Sequence, residues 1–206
     1  MAITNGYATL AEFKAWITMR GSSTSTDAAD DAVIEDHIEA ASRYIDRETG
    51  KRFFVDSEDQ TRYYTAEDSF LLEIDPLSAS PTSVSIDTTG LRSYTALTED
   101  TDFELLPYNA ALEGQPYTQI AIIAAISSYF WPLTTKGVKV VGLFGFPAVP
   151  DDVKEATLAI AQSLNSSRSG QTSAGRVTVT AAGVVIRPEE VPPYAQRVIR
   201  HYRSIV

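Results

Sequence analysis

The chain has no cysteine, and only two histidines and two methionines in 206 residues. Without cysteine there is no disulfide frame and no thiolate metal site, so the fold has to stand on packing and on association. A reducing compartment is consistent with that usage. Catalysis needs titratable groups brought together, and His37 and His201 are the only imidazoles available. Basic residues are also scarce: 17 against 27 acidic, a formal charge of -10, which argues against a protein whose main task is gripping phosphate backbones. Passage of DNA past its surface remains compatible. Long hydrophobic runs are absent too. The longest, Ile120 to Ile126, falls far short of the roughly 20 residues needed to cross a bilayer. The opening residues Met1 to Gly6 lack the basic start and apolar run of a signal peptide.

What is present suffices for a packed core, since 44% of the residues are hydrophobic. Charge is unevenly spread. Residues 1–160 hold 11 basic and 25 acidic groups, whereas 161–206 hold six arginines and two glutamates, a basic arm on an acidic body.

Thr9 with Glu12 reads as a capping box opening a short helix, with Leu10, Phe13 and Ile17 on one face and Gly21 as its stop. Ser22 to Thr26 reads as a solvated loop. A second helix is expected over Asp27 to Thr49, with acids at its positive end and Gly50 as C-cap. Ile34, Ile38, Ala41 and Ile45 form its stripe, and Glu39 with Arg43 makes an i,i+4 pair. From Gln60 to Phe146 the period shortens to that of strands. Strands are expected near 61–65, 70–74, 83–87, 103–106, 118–123 and 138–146, folded as a small barrel or sandwich. Pro150 then opens a third helix with a stripe of Val153, Ala156, Thr157, Ile160 and Leu164. Residues 175–187 read as a hairpin arm. A last helix from Pro193 sets Tyr194, Val198, Tyr202 and Ile205 against Arg197, Arg200 and Arg203.

The fold class is therefore α+β: a helical bundle core with an inserted antiparallel β-sheet domain and a C-terminal arm plus helix. The expected domains are 1–56 with 148–168 (helical core), 57–147 (β insert) and 169–206 (arm and basic helix).

Chemistry is hard to find. His37 lies beside Glu35, Asp36 and Glu39, but its neighbours at i±3 and i±4 are Val33, Ile34, Ala40 and Ala41, so a structural histidine is expected rather than a metal ligand. His201 has no carboxylate near it in sequence. Nucleophile elbows, zinc-protease and EF-hand signatures and dinucleotide fingerprints are missing, and the Gly142 to Gly145 segment lacks the third glycine of the last. Asp100 with Asp102, and Glu67 with Asp68, could in principle serve as hydrolase carboxylates, but they occur in turn-like sequence. Tyr63, Tyr64, Tyr94, Tyr108 and Tyr117 raise the alternative of a carbohydrate or ligand-binding module, with packing of the sheet as the competing reading.

The helical segments Thr9 to Trp16, Ile38 to Phe53 and Pro147 to Leu158 together resemble, in the right order, the head-to-tail connector (adaptor) proteins of tailed bacteriophages. The β insert, with Thr101 to Ala110 and Pro116 to Ile120, is similar to the enlarged version in some long-tailed phages. This resemblance implies a virion protein, assembled in the host cytoplasm. It would form a ring, usually a dodecamer, beneath the portal vertex at the head-tail junction. Its partners would be other copies of itself, the portal protein, the next neck protein (the stopper), and double-stranded DNA passing without sequence-specific binding. No enzymatic activity, cofactor or metal is implied. In such proteins the C-terminal segment reaches onto the portal. Carried over, that role falls on Arg176 to Val206, with Arg187, Tyr194, Arg197, Arg200, Tyr202 and Arg203 as portal-binding candidates. Asp30, Asp31, Glu35 and Asp36 are channel-lining candidates, against the alternative of an ordinary solvated face. A stopper or tail terminator is the rival assignment within the neck.

Overall fold

The structure is a computed structural model that describes residues 3–19, 28–169, 178–179, 185–186 and 191–203. It is α+β, and its packing divides into two compact units, residues 1–53 with 149–206 and residues 54–148.

In the first unit the described residues form four helices: α1 (Leu10–Met19), α2 (Ala28–Thr49), α3 (Asp151–Ser169) and α4 (Pro193–Tyr202). α1 begins at the expected capping box. The Thr9 N–H donates to Glu12 Oε2 (2.8 Å) and the Glu12 N–H to Thr9 Oγ1 (3.2 Å), so each residue satisfies the other's exposed amide. α2 buries Ile34, Ile38, Ala41 and Ile45, the stripe that its 3.6-residue period lays along one face. It stops at Gly50, whose φ of 70° is the left-handed conformation that ends helices and whose N–H reaches the Asp46 carbonyl at 2.9 Å.

α3 lies against α2, and Ala156 and Ala161 are completely buried, so small side chains let it approach its neighbours closely. Leu164, expected in its stripe, is instead 39% exposed; Leu158 and Ala161 take the buried positions. α1 is tied on by polar contacts: Trp16 Nε1–H donates to Glu155 Oε2 (3.0 Å), Lys154 pairs with Glu12 (3.0 Å) and Lys14 with Asp31 (2.6 Å). The expected stop of α1 at Gly21 and the loop 22–26 lie outside the described residues.

The second unit holds seven strands in two antiparallel sheets. One has the order β1-β7-β3-β4, built from β1 (Gln60–Tyr64), β7 (Val138–Gly142), β3 (Ser83–Ile86) and β4 (Thr95–Leu97). The other is β2-β6-β5, from β2 (Leu71–Leu77), β6 (Tyr117–Ile122) and β5 (Phe103–Leu106). The sheets do not close into a barrel. Their inward residues share one apolar core, with Leu72, Ile120 and Phe103 from one sheet and Val84, Val138 and Val140 from the other.

Strand β4 is not foreseen from sequence because three residues are too few to show alternation; its pairing with β3 (Val84 opposite Leu97) reveals it. β7 ends at Gly142, short of the expected Phe146. Gly145 adopts φ 121°, and a Cβ there would sit 2.0 Å from the Phe54 carbonyl oxygen, so the backbone turns where only glycine fits.

Within the arm segment, β8 (Thr178–Val179) and β9 (Val185–Ile186) pair antiparallel, Val179 opposite Val185.

Candidate functional site

α4 starts at Pro193 with Pro192 as its N-cap; the two prolines fix φ where the helix starts and cannot extend it backwards. Ala195, Val198 and Ile199 are buried on α2 and α3, and Tyr202 is half-buried beside them. Tyr194, placed by sequence on the packed side, is 42% exposed. The exposed face therefore carries Tyr194, Arg197 and Arg200, with the exposed Arg203 following at the C-cap in extended backbone, three guanidiniums at three-residue spacing. None of the three makes an ion pair among the described residues.

Tyr202 is turned inward. Its hydroxyl donates to Asp152 Oδ1 (3.1 Å), and its ring meets Phe53 edge-on with centroids 5.0 Å apart. Burial, and then the Asp152 charge, push the hydroxyl up to about 12. Arg187, the remaining portal-binding candidate, lies outside the described residues.

Phe53 joins α4 to a second polar centre that sequence reasoning missed. Its N–H donates to the Tyr7 hydroxyl (2.9 Å), which in turn donates to Asp46 in a short hydrogen bond. The Tyr7 N–H donates to Ser42 Oγ at 3.0 Å, and Arg43 bonds the Asn5 carbonyl at 2.9 Å. Arg43, expected to pair with Glu39, ion-pairs with Asp46 at 3.0 Å. Burial above all, and next the bond to Asp46, push the Tyr7 hydroxyl far above the ordinary tyrosine range; burial likewise raises Asp46, against the lowering effect of Tyr7, Arg43 and Arg52. The centre thus clamps residues 5–7 onto α2 and supports Phe53 under Tyr202. No periodicity marks such a contact, because Tyr7 and Asp46 are 39 residues apart.

Of the channel-lining candidates, Asp36 is exposed while Asp30, Asp31 and Glu35 are half-buried. Asp31 is engaged by Lys14, so it fastens α1 to α2.

The carboxylates considered for hydrolysis form turns. Asp68 accepts the Phe70 and Leu71 N–H groups (2.7 and 2.9 Å), and these bonds hold its carboxyl below the usual range. Asp102 accepts from the Thr98 N–H (2.9 Å) and the Ser127 hydroxyl (3.1 Å). Among the described residues no three His, Asp or Glu side chains are grouped to hold a metal ion. No described helix is long and apolar enough to cross a membrane.

The five tyrosines separate. Tyr64 and Tyr117 pack against the core between the sheets, and Tyr108 is exposed beside Glu104. Tyr63 and Tyr94 stand together on the outer face of the four-stranded sheet, ring centroids 5.9 Å apart. Lys136 Nζ lies 5.7 Å from the Tyr63 centroid and Lys139 Nζ 5.1 Å from that of Tyr94. Arg92 closes the group by donating to the Lys136 carbonyl (3.2 Å).

No protein-family model matches the chain, and no curated protein matches its sequence. Among solved structures the α+β fold recurs in phage-like particles. A chain in the neck of an empty gene transfer agent particle, computed with C6 symmetry, matches all of this chain over 94% of its own length, with a TM-score of 0.56 and 17% identity. A chain in the neck of the native particle, computed with C12 symmetry, matches all of this chain over 93% of its own length, with a TM-score of 0.53 and 16% identity. At such identities the shared property is the fold, carried through both units.

Proposed function

We infer that this protein is a structural component of the neck of a phage-like particle, an adaptor that forms a ring between the portal vertex and the tail and extends the DNA channel. The observation that carries the reading is the likeness, over the entire chain, to neck chains in particles reconstructed with six- and twelvefold symmetry. Cyclic symmetry favours such an assembly physically, because contacts too weak to hold a pair add around a closed ring.

In this reading residues 169–206 are the attachment arm. Arg197, Arg200 and Arg203 meet an acidic portal surface, Tyr194 adds exposed aromatic area, and Arg187 extends the basic track. Tyr202 positions α4 through Asp152 and Phe53 rather than touching the portal. Asp30 and Asp36 keep an acidic channel from retaining DNA, since like charges repel and contact releases no counterions; Asp31 and Glu35 add to that field. The stopper is the next partner below. No catalytic step, cofactor or metal is required.

The test is the native mass of the full-length protein alone and with the portal from the same genome. Joining the portal in about twelve copies, the number that the twelvefold neck suggests, would support the adaptor. A protein that ignores the portal but binds a preassembled neck from below would instead be a stopper.

A further inference from the structure

The β unit, residues 54–148, contains 13 carboxylates and only four basic side chains, Arg62, Arg92, Lys136 and Lys139. Arg62 is used internally. It pairs with Asp75 (2.7 Å) and Asp56 (3.6 Å) and lies over the Phe144 ring at 4.0 Å. The other three gather in one place, around Tyr63 and Tyr94, and none of them ion-pairs with a carboxylate among the described residues.

Strand register puts this group on the outside of the unit. Tyr63 pairs with Lys139, and Lys139 with Ser85, in the row between the inward Val138 and Val140. Tyr63 is 47% exposed, Lys136 and Arg92 are exposed, and Lys139 is half-buried over the buried Ser85, so aromatic surface and positive charge lie at the outer face together. The outer face of the other sheet has the opposite character. Between the inward Leu72 and Ile74, Glu73 points out; between Phe103 and Leu105, Glu104 does. Register brings them onto neighbouring rows, Glu73 opposite Gln119 and Glu104 opposite Ala121, with the exposed Leu71 also opposite Ala121.

Resting on the neck-ring reading, we propose that the β unit makes a head-to-tail contact between adjacent copies of this chain. The Tyr63, Tyr94, Lys136 and Lys139 face of one copy docks on the Glu73 and Glu104 face of the next. Two different faces of one chain meeting head to tail make a heterologous interface, the kind that closes into a ring when the rotation per copy is a whole fraction of a turn. Charge complementarity selects the occupant: the basic group is the exception on an acidic unit, and its complement stands on the opposite sheet of the same chain. Three cations offer little to duplex DNA on a chain of net charge -10, so nucleic acid is the weaker occupant.

A charge-swap experiment on the full-length chain tests this, alone and on the portal. The double variants K136E/K139E and E73K/E104K are each expected to lose at least about tenfold in ring formation, the scale of a few opposed charges. Their equimolar mixture is expected to regain it, because each basic face then finds an acidic neighbour. Recovery on mixing also excludes misfolding as the cause of the losses; K136Q/K139Q, with a smaller loss and an unchanged thermal melt, serves as the mild control. A wild-type ring that K136E/K139E reproduces undiminished would overturn the interface and leave the adaptor reading standing, as would a variant that assembles normally but loses DNA retention. Absence of any wild-type ring, alone or on the portal, would overturn both.

Discussion

Tyr7 shows how one side chain can hold a helical unit together. Its hydroxyl accepts from the Phe53 N–H and donates to Asp46 in a buried setting, so replacing it by phenylalanine removes two hydrogen bonds without changing ring packing. The expected cost is about 1–3 kcal/mol. Urea denaturation checks it, as a lower midpoint at unchanged slope, and a loss under about 0.5 kcal/mol would show the bonds to be incidental. Alkaline pH probes the same region. The folded-state hydroxyls of Tyr7 and Tyr202 are raised above the ordinary value of 10.0, so the folded form holds their protons more tightly than the unfolded chain does. The stability this confers is complete below pH 10 and, for Tyr202, is lost as pH rises through about 12. Tyr202→Phe is therefore expected to flatten the fall in stability between those values. The variant should also lose about 0.5–1.5 kcal/mol at neutral pH with the bond to Asp152.

Among the elements, the glycines separate conformational need from space. Gly50 ends α2 at positive φ, and a Cβ added there would meet nothing within 4 Å, so Gly50→Ala should cost only about 1–2 kcal/mol for the left-handed backbone. Gly145 has positive φ and the Phe54 carbonyl in the way, so Gly145→Ala should cost several times more, visible as a larger drop in melting temperature. Helix boundaries were largely legible because capping is local: Thr9, Glu12, Gly50 and Pro150 each act within one turn. The packed face of α4 was less so. Tyr194, Val198 and Tyr202 are spaced equally well for burial, yet small Ala195 and branched Ile199 meet the neighbouring helices, leaving Tyr194 outside.

For the whole molecule, the proposed attachment to a portal is an electrostatic question. Arg197→Glu, Arg200→Glu and Arg203→Glu together should weaken portal association by about 10–100-fold, because three exposed charges each contribute a fraction of a kcal/mol to about 1 kcal/mol. The wild-type affinity should fall with added salt as the Debye length shrinks. Titration of portal with either protein at two ionic strengths reads both effects, and an unchanged variant would relocate attachment away from α4. These three arginines stand out in the amino-acid sequence as a basic stripe at helical spacing, whereas the Lys136 and Lys139 group does not. Those lysines are distant in sequence from Tyr63 and Tyr94; pairing of β1 with β7 sets Lys139 opposite Tyr63, and the Tyr94 hydroxyl donates to the Lys136 carbonyl (2.8 Å).

The amino-acid sequence by itself determined the α+β class, the helices with the caps at Thr9, Gly50 and Pro150, six of the seven strands in the β unit and the acidic body with its basic tail. All of these follow from period, local capping and composition, interactions that span a few residues. Tertiary structure alone decided that the strands form two sheets instead of a barrel, that Tyr7 joins Asp46 to Phe53, that Tyr194 is left outside, and that three cations share one outer face. Those outcomes depend on which distant segments meet, and a one-dimensional pattern carries no term for the side chain waiting on the other side.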